Sequence, residues 1–463
     1  MADVRVCLIL EGSYPYITGG VSSWMHQLIT ALPDIDFSLF TISPSLDQPL
    51  RYELPPNVKE HKDIDIGERF RSKRKPNKKK ELLKEIEQIH RIMEAHSVPS
   101  LDIMMELMPD EYYLYSDALR SKTGWRMITE SNRSKNPVYP FSDYFWAWKA
   151  SHDMLFTVLG TSLPKADIYH AVSTGYAGLA ATAAKIREKK PYLLTEHGLY
   201  HKEREMEIRR VSFIKGYQRD MWINIYNSLS RLSYRYADLI ISLFEYNRLK
   251  QIELGAPEKK TMVIPNGIDT QNFDIERQKK SNGFHVGLVG RVVPIKDIKT
   301  FISMAKILAD LIPGSVFHCI GPTDEDPEYY EDCKILVNSL KLSKQFHFTG
   351  RADVREYYAF LDVLLLTSVR EAKPLVILEA YCARVPVVST RVGNVPELLD
   401  YDERFLSPPK DPEKLAEGVR YIHDNPEEIA NLVKKNKDKV HRFYDRHDLH
   451  NNYREIYRDL KGQ

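Results

Sequence analysis

The sequence is poor in cysteine. Four occur in 463 residues (Cys7, Cys319, Cys333 and Cys382), and no two of them stand in a CxxC spacing. That pattern excludes a zinc ribbon or a disulfide frame and predicts buried thiols in a reducing compartment. Long apolar runs are missing as well: none approaches the roughly 20 residues of a membrane span. The N-terminal run VRVCLIL is too short for a signal peptide, and Glu11 ends it. Charge of one sign is also lacking. The 66 basic and 64 acidic residues leave a formal charge of +2, so nothing global argues for nucleic acid as a partner. No internal repeat is visible. The expectation is a soluble, cytoplasmic protein.

What is present is the composition of a globular chain, 43% apolar and 28% charged, long enough for two or three domains. Val4–Leu10 is an almost continuous apolar run, as in a strand buried on both faces of a parallel sheet. Gly19 and Gly20 follow in a flexible turn, and Val21, Trp24, Leu28 and Leu32 then recur at helical spacing. Further strands are expected at 36–43, 166–172, 192–197, 237–243 and 261–266, with helices between them, so residues 1–270 read as a doubly wound α/β domain. Residues of about 60–160 break that rhythm and read as a helical insertion. The basic run at 69–80 within it is either a solvated loop or a contact for an anionic membrane surface or acidic partner. The polar segment NGIDTQNFDIERQKKSNG reads as a linker, and 280–440 as a second α/β domain. The C-terminal 441–463 reads as a helix returning to the first domain. Two Rossmann-like halves with a cleft between them are the simplest architecture.

Ligands of open α/β sheets sit beyond the C-terminal strand ends, so the polar residues there carry the functional reading. Arg291 directly follows the strand ending at Gly290, and Lys296 comes shortly before a helix. A planar fork of donors and a compact ammonium together suit a diphosphate; two solvated loop cations are the bland alternative. In REAKPLVILEAYCARVPVVST, Glu371 lies in a loop after a strand, and Pro374 fits the first position of the next helix. The free N–H groups of Leu375 and Val376 would then favour an anion. Glu379, about one turn on, leans back toward the helix N-terminus. Carboxylates repel phosphate but accept strongly from hydroxyls, so the set fits a sugar nucleotide; two ordinary helix glutamates are the alternative. The acidic turn with Asp324, Glu325 and Asp326 lacks the spacing of a calcium loop and reads as a solvated turn.

GRVVPIKD, EAKPLVILEA, VIPNGID, HFTGRADVREYYAFLDVLLLTS and PVVSTRVGNVPELL together resemble glycosyltransferase family 4, and Glu371 and Glu379 match its E-x7-E pattern. The N-terminal LILEGSYPYITGGVSSW, YHAVSTGYAGL and LLTEHGLYHKEREMEI resemble a narrower group, the cytoplasmic glycosyltransferases of Pel exopolysaccharide synthesis. The resemblance implies a GT-B fold and a retaining, metal-independent hexosyltransferase. It would use a UDP-sugar, UDP-glucose first, as substrate rather than cofactor, and a growing polysaccharide as acceptor. Arg291 and Lys296 would hold the diphosphate, Glu371 the sugar hydroxyls and Glu379 the ribose. Gly19 and Gly20 would form a phosphate-facing loop, His197 would face the reacting sugar, and His170 would lie at the substrate; a histidine capping a strand end is the alternative for His197, and a core or strand-end histidine for His170. Membrane-bound Pel synthase subunits are implied as partners, with recruitment to the inner membrane face. A nucleotide-sugar-binding scaffold, a UDP-sugar epimerase and a glycoside hydrolase on the same scaffold remain the alternatives. Lys373-Pro374 departs from the Phe-Gly often found in the family, which leaves donor contacts at that helix end to Leu375 and Val376.

Overall fold

A computed structural model describes residues 4–43, 48–65, 76–109, 111–112, 121–135, 140–212, 214, 216–278, 283–371 and 374–462. The chain forms two compact units, 1–265 together with 450–463, and 266–449.

Among the described residues the first unit holds seven parallel strands. They are β1 (Val4–Glu11), β2 (Ile35–Ser43), β3 (Val58–Asp65), β4 (Ile168–Ala171), β5 (Tyr192–Glu196), β6 (Leu239–Ser242) and β7 (Thr261–Val263). Their order is β3-β2-β1-β4-β5-β6-β7, so the direction of winding reverses between β1 and β4. The central strands are apolar on both faces because helices cover both: Val6, Leu8, Ile9, Leu193 and Ile240 are fully buried. The expected insertion follows β3 and is helical in its described parts, at Lys79–Glu94, Asp102–Leu107, Lys122–Lys135 and Phe141–Gly160. Leu82, Leu83, Ile86 and Ile89, at helical spacing on the first of these, join the same core as Leu179 and Leu229. Residues 66–75 of the basic stretch, including most of the run at 69–80, lie outside the described residues.

The second unit holds β8 (His285–Val289), β9 (Val316–Ile320), β10 (Phe346–Gly350), β11 (Val363–Leu366), β12 (Val387–Thr390) and β13 (Leu406–Ser407). All are parallel, in the order β10-β9-β8-β11-β12-β13, with the reversal between β8 and β11. The segment expected as a linker packs instead on this unit. Ile268 joins its core, and Arg277 donates to the carbonyls of Tyr358 and Leu361, both at 2.6 Å. The last helix is Arg446–Lys461, and its residues from His450 onward belong with the first unit. There Tyr453 and Tyr457 are buried and Arg454 reaches Asp34 at 3.1 Å. All four cysteines are free and buried.

Candidate functional site

In the second unit, the turns after β8, β9 and β11 are stitched together at the point where winding reverses. Gly290 N–H donates to Ile320 O (2.9 Å) and Val292 N–H to Pro322 O (2.9 Å). Gly321, just past β9, has φ +148°, and its N–H donates to Gly350 O at 3.0 Å. A Cβ there would stand 2.1 Å from Gly290 O, so only glycine permits this approach of the two turns. Arg291 emerges beside that contact. Its Nη1 donates to both carboxylate oxygens of Glu325, at 2.5 and 2.7 Å.

Lys296 closes a single turn at Pro294–Lys296, and its stem lies against Gly290. Its ammonium contacts the Glu371 carboxylate, which also accepts from Ser368 Oγ (2.9 Å). The loop carrying both is fixed by backbone: Val369 N–H donates to Ile295 O (3.0 Å) and Thr367 Oγ1 to Lys296 O (2.6 Å). Thus Arg291, Lys296 and Glu371 share one neighbourhood at the ends of β8 and β11, where nucleotide ligands of such sheets bind.

The helix Leu375–Cys382 begins one residue later than expected. Pro374 is its N-cap, in an extended conformation, and not its first helical residue. Ile377 N–H turns back to Pro374 O (3.2 Å), whereas the N–H groups of Leu375 and Val376 have no acceptor among the described residues. Lys373 lies outside the described residues. Glu379 takes a separate partner. Its carboxylate accepts from the buried Tyr358 hydroxyl at 3.1 Å, and burial raises its pKa against that hydrogen bond.

In the first unit, a pocket of about 160 Å³ lies past the ends of β1, β4 and β5, with Glu11, Ser13, Ser173, His197 and Arg204 on its wall. Burial raises the Glu11 pKa. Its carboxylate accepts from Tyr176 N–H and from the Tyr200 hydroxyl, both at 2.8 Å. The His197 ring stands edge-on to Trp24, 4.4 Å between centroids, and its buried Nε2 has no hydrogen-bond partner among the described residues. Burial lowers its pKa to about 3. Glu196 beside it faces inward rather than toward solvent. It is 1% exposed and accepts from Tyr234 Oη, Gln251 Nε2, Tyr200 N–H and Thr174 Oγ1 at 2.7–3.2 Å. That network fixes the turn carrying His197.

His170 does not reach the pocket. It is fully buried on β4, its Nδ1 2.7 Å from Tyr457 Oη and its Nε2 2.8 Å from Thr195 Oγ1, which is the bonding of a core histidine. Gly19 is extended and exposed, and among the described residues neither it nor Gly20 has a neighbour within 4 Å of a would-be Cβ. A hollow of about 120 Å³ between the insertion and the helices Tyr176–Glu188 and Gly216–Tyr236 is lined mostly by apolar side chains, Trp148 and His152 among them, with no lysine or arginine on its wall among the described residues.

Sequence reasoning missed Glu11, Glu325 and Tyr358. Glu11 is the last residue of β1 and Glu325 stands in the turn after β9, close to the criterion that singled out Arg291. The acidic turn is paired, not simply solvated: Asp324 meets Arg351 at 3.2 Å, and Asp326 caps the helix Pro327–Ser339 through Tyr329 N–H. Among the described residues, no helix is long and apolar enough to cross a membrane, and no group of three acidic, histidine or cysteine side chains is placed to hold a metal ion.

Comparison with known proteins assigns both units. Residues 4–259 match the model described as "Domain of unknown function (DUF3492)", and 269–439 match "Glycosyl transferases group 1". Curated relatives include the N-acetyl-alpha-D-glucosaminyl L-malate synthase of Bacillus anthracis, 26% identical over 50% of this chain and 63% of its own length. Another is the sulfoquinovosyl transferase SQD2 of Arabidopsis thaliana, 27% identical over 56% of this chain; this chain spans only half of that protein. Among solved structures, Anabaena HepE in complex with UDP is similar with a TM-score of 0.59 at 16% identity, covering 98% of this chain and all of that one. Sucrose-phosphate synthase of Thermosynechococcus elongatus gives 0.57 at 17%, covering 99% of each chain. These likenesses give the fold as GT-B. The chain belongs to the DUF3492 family, in which that domain is here joined to a glycosyl transferases group 1 domain.

Proposed function

We propose that the protein is a retaining glycosyltransferase that moves a hexose from a UDP-sugar, UDP-glucose first, onto a growing exopolysaccharide. The contact of Lys296 with Glu371 at the β8/β11 reversal, beside Arg291, carries this reading. In it Arg291, Lys296 and the N–H groups of Leu375 and Val376 stabilise the departing diphosphate, so its positive partners are the protein's own. Glu371 accepts from hydroxyls of the sugar and Glu379 from those of the ribose. The first unit takes the acceptor, with His197 and the Gly19–Gly20 turn on the substrate side. Support for the donor class comes from the group 1 model and from HepE, which was solved with UDP and with UDP-glucose. Support for the polymer comes from the N-terminal segments that resemble PelF, the glycosyltransferase of Pel synthesis, and from relatives named for amylovoran and teichuronic acid synthesis.

The test is turnover of a panel of nucleotide sugars with and without oligosaccharide acceptors, the product anomer being read by NMR. UDP release that depends on acceptor, with the donor's anomeric configuration kept, is the expected result. Arg291→Ala and Lys296→Ala should each lower kcat by about 10²–10³, the usual effect of losing one preorganised donor. Near-normal turnover of both variants, or sugar release that ignores the acceptor, contradicts the assignment.

A further inference from the structure

The acidic turn after β9 spends its three carboxylates on three different elements. Asp324 pairs with Arg351 beyond β10, Asp326 caps the helix that follows, and Glu325 alone takes a residue of the candidate site, Arg291. We propose that Glu325 is a displaceable counter-ion, holding Arg291 in the ligand-free protein and yielding it to the donor diphosphate. This rests on the donor reading given above.

Three observations carry it. Both carboxylate oxygens of Glu325 converge on one guanidinium nitrogen, Nη1, at 2.5 and 2.7 Å, so Glu325 occupies a donor that a phosphate would use. Both side chains are about half exposed, 53% and 49%, so the pair contributes little to stability and exchanges readily. The turn beneath is pinned by Val292 N–H to Pro322 O and by Gly321 N–H to Gly350 O. Releasing Glu325 therefore needs only side-chain rotation. The other cation contrasts with this: Lys296 and Glu371 are each 17% exposed, an enclosed pair. Glu325 thus competes with the ligand for one cation and lowers the affinity of the site.

Calorimetric titration of the full chain with UDP tests this. Glu325→Gln should tighten UDP binding about two- to fivefold, the range an exposed ion pair can contribute. Asp324→Asn removes the same charge one residue away without touching Arg291 and should leave the affinity within error. In an Arg291→Ala background, Glu325→Gln should lose its effect. Equal tightening by Asp324→Asn would mean that net charge alone matters, and weaker binding by Glu325→Gln would mean that Glu325 merely positions Arg291; either overturns the proposal. An effect that persists without Arg291 overturns it too, while leaving the donor reading intact. If Arg291→Ala itself does not change UDP affinity, the donor reading falls and this inference with it.

Discussion

Gly321→Ala separates the architecture of the site from its chemistry. The residue sits at φ +148°, where a side chain is strained by about 1–3 kcal/mol. Its new Cβ would meet Gly290 O at 2.1 Å and Gly290 C at 2.7 Å. Those are backbone atoms of the turn that presents Arg291, so the neighbour cannot give way by rotating a side chain. Overpacking of this kind costs about another 1–3 kcal/mol. Together the loss is about 2–6 kcal/mol, a fall of about 4–24 °C in Tm for a unit of this size. Gly314→Ala supplies the contrast. That residue also has positive φ, +83°, but no described residue stands within 4 Å of its would-be Cβ, so only the backbone term of about 1 kcal/mol applies. Scanning calorimetry reads the second-unit transition, and UDP titration at 15 °C, well below it, reads the site. Gly321→Ala should lose both stability and UDP affinity, because the peptide before Arg291 must move. If it melts within 2 °C of Gly314→Ala and binds UDP like the parent, the close approach of the β8 and β9 turns is not what places Arg291.

Acid should weaken the first unit. Burial holds His170 neutral with a pKa of about 3, whereas an unfolded histidine titrates near 6.5. The unfolded chain therefore binds more protons below pH 6.5, and stability falls as pH drops toward 3, by about 2 kcal/mol between pH 7 and 5 from this residue. His170→Asn should start less stable at pH 7 but show an acid slope shallower by that amount; parallel denaturation curves from pH 7 to 5 would refute it. Tyr358→Phe removes the hydroxyl that holds Glu379 and also donates to Val376 O at 3.3 Å. It should raise KM for the donor several-fold with kcat nearly kept, the mark of a contact made equally in ground and transition states. A fall in kcat with KM unchanged would place Glu379 at the reacting sugar instead.

The central strands were legible because burial on both faces writes itself as unbroken apolar runs, as in Val4–Leu10 and Val363–Leu366. β3 was not legible: its sequence VKEHKDID is that of an edge strand with most residues partly or fully exposed, and it fell inside the region read as insertion. β13, two residues long, carries no periodic signal at all. The polar segment after Asn266 misled for a different reason. Its glycine answers to packing and not to a turn, since a Cβ on Gly267 would stand 2.4 Å from Tyr444 O, and its charged residues serve the second unit. Arg277 is polar in composition but structural in use, bonded to the carbonyls of Tyr358, at the end of the helix Val354–Tyr358, and of Leu361, in the turn before β11.

The same distinction between local and distant information explains the site. A residue's place just past a strand is local, so position could nominate Arg291, Lys296 and Glu371, and their combination strengthened the nomination. Their partners are not local: Lys296 and Glu371 are 75 residues apart, and Arg291 and Glu325 are 34 apart. Only the strand order, which puts β9 and β11 on either side of β8, makes both pairs adjacent. His170 shows the converse error. It too stands near a strand end, but the C-terminal helix brings Tyr457 from 287 residues away to occupy its Nδ1. Position past a strand therefore nominates a residue, and the long-range partner decides its use. A ring with both nitrogens bonded inside the core has no capacity left for a ligand, whereas a guanidinium held by one exposed carboxylate keeps all of its charge and can exchange that partner for a better one.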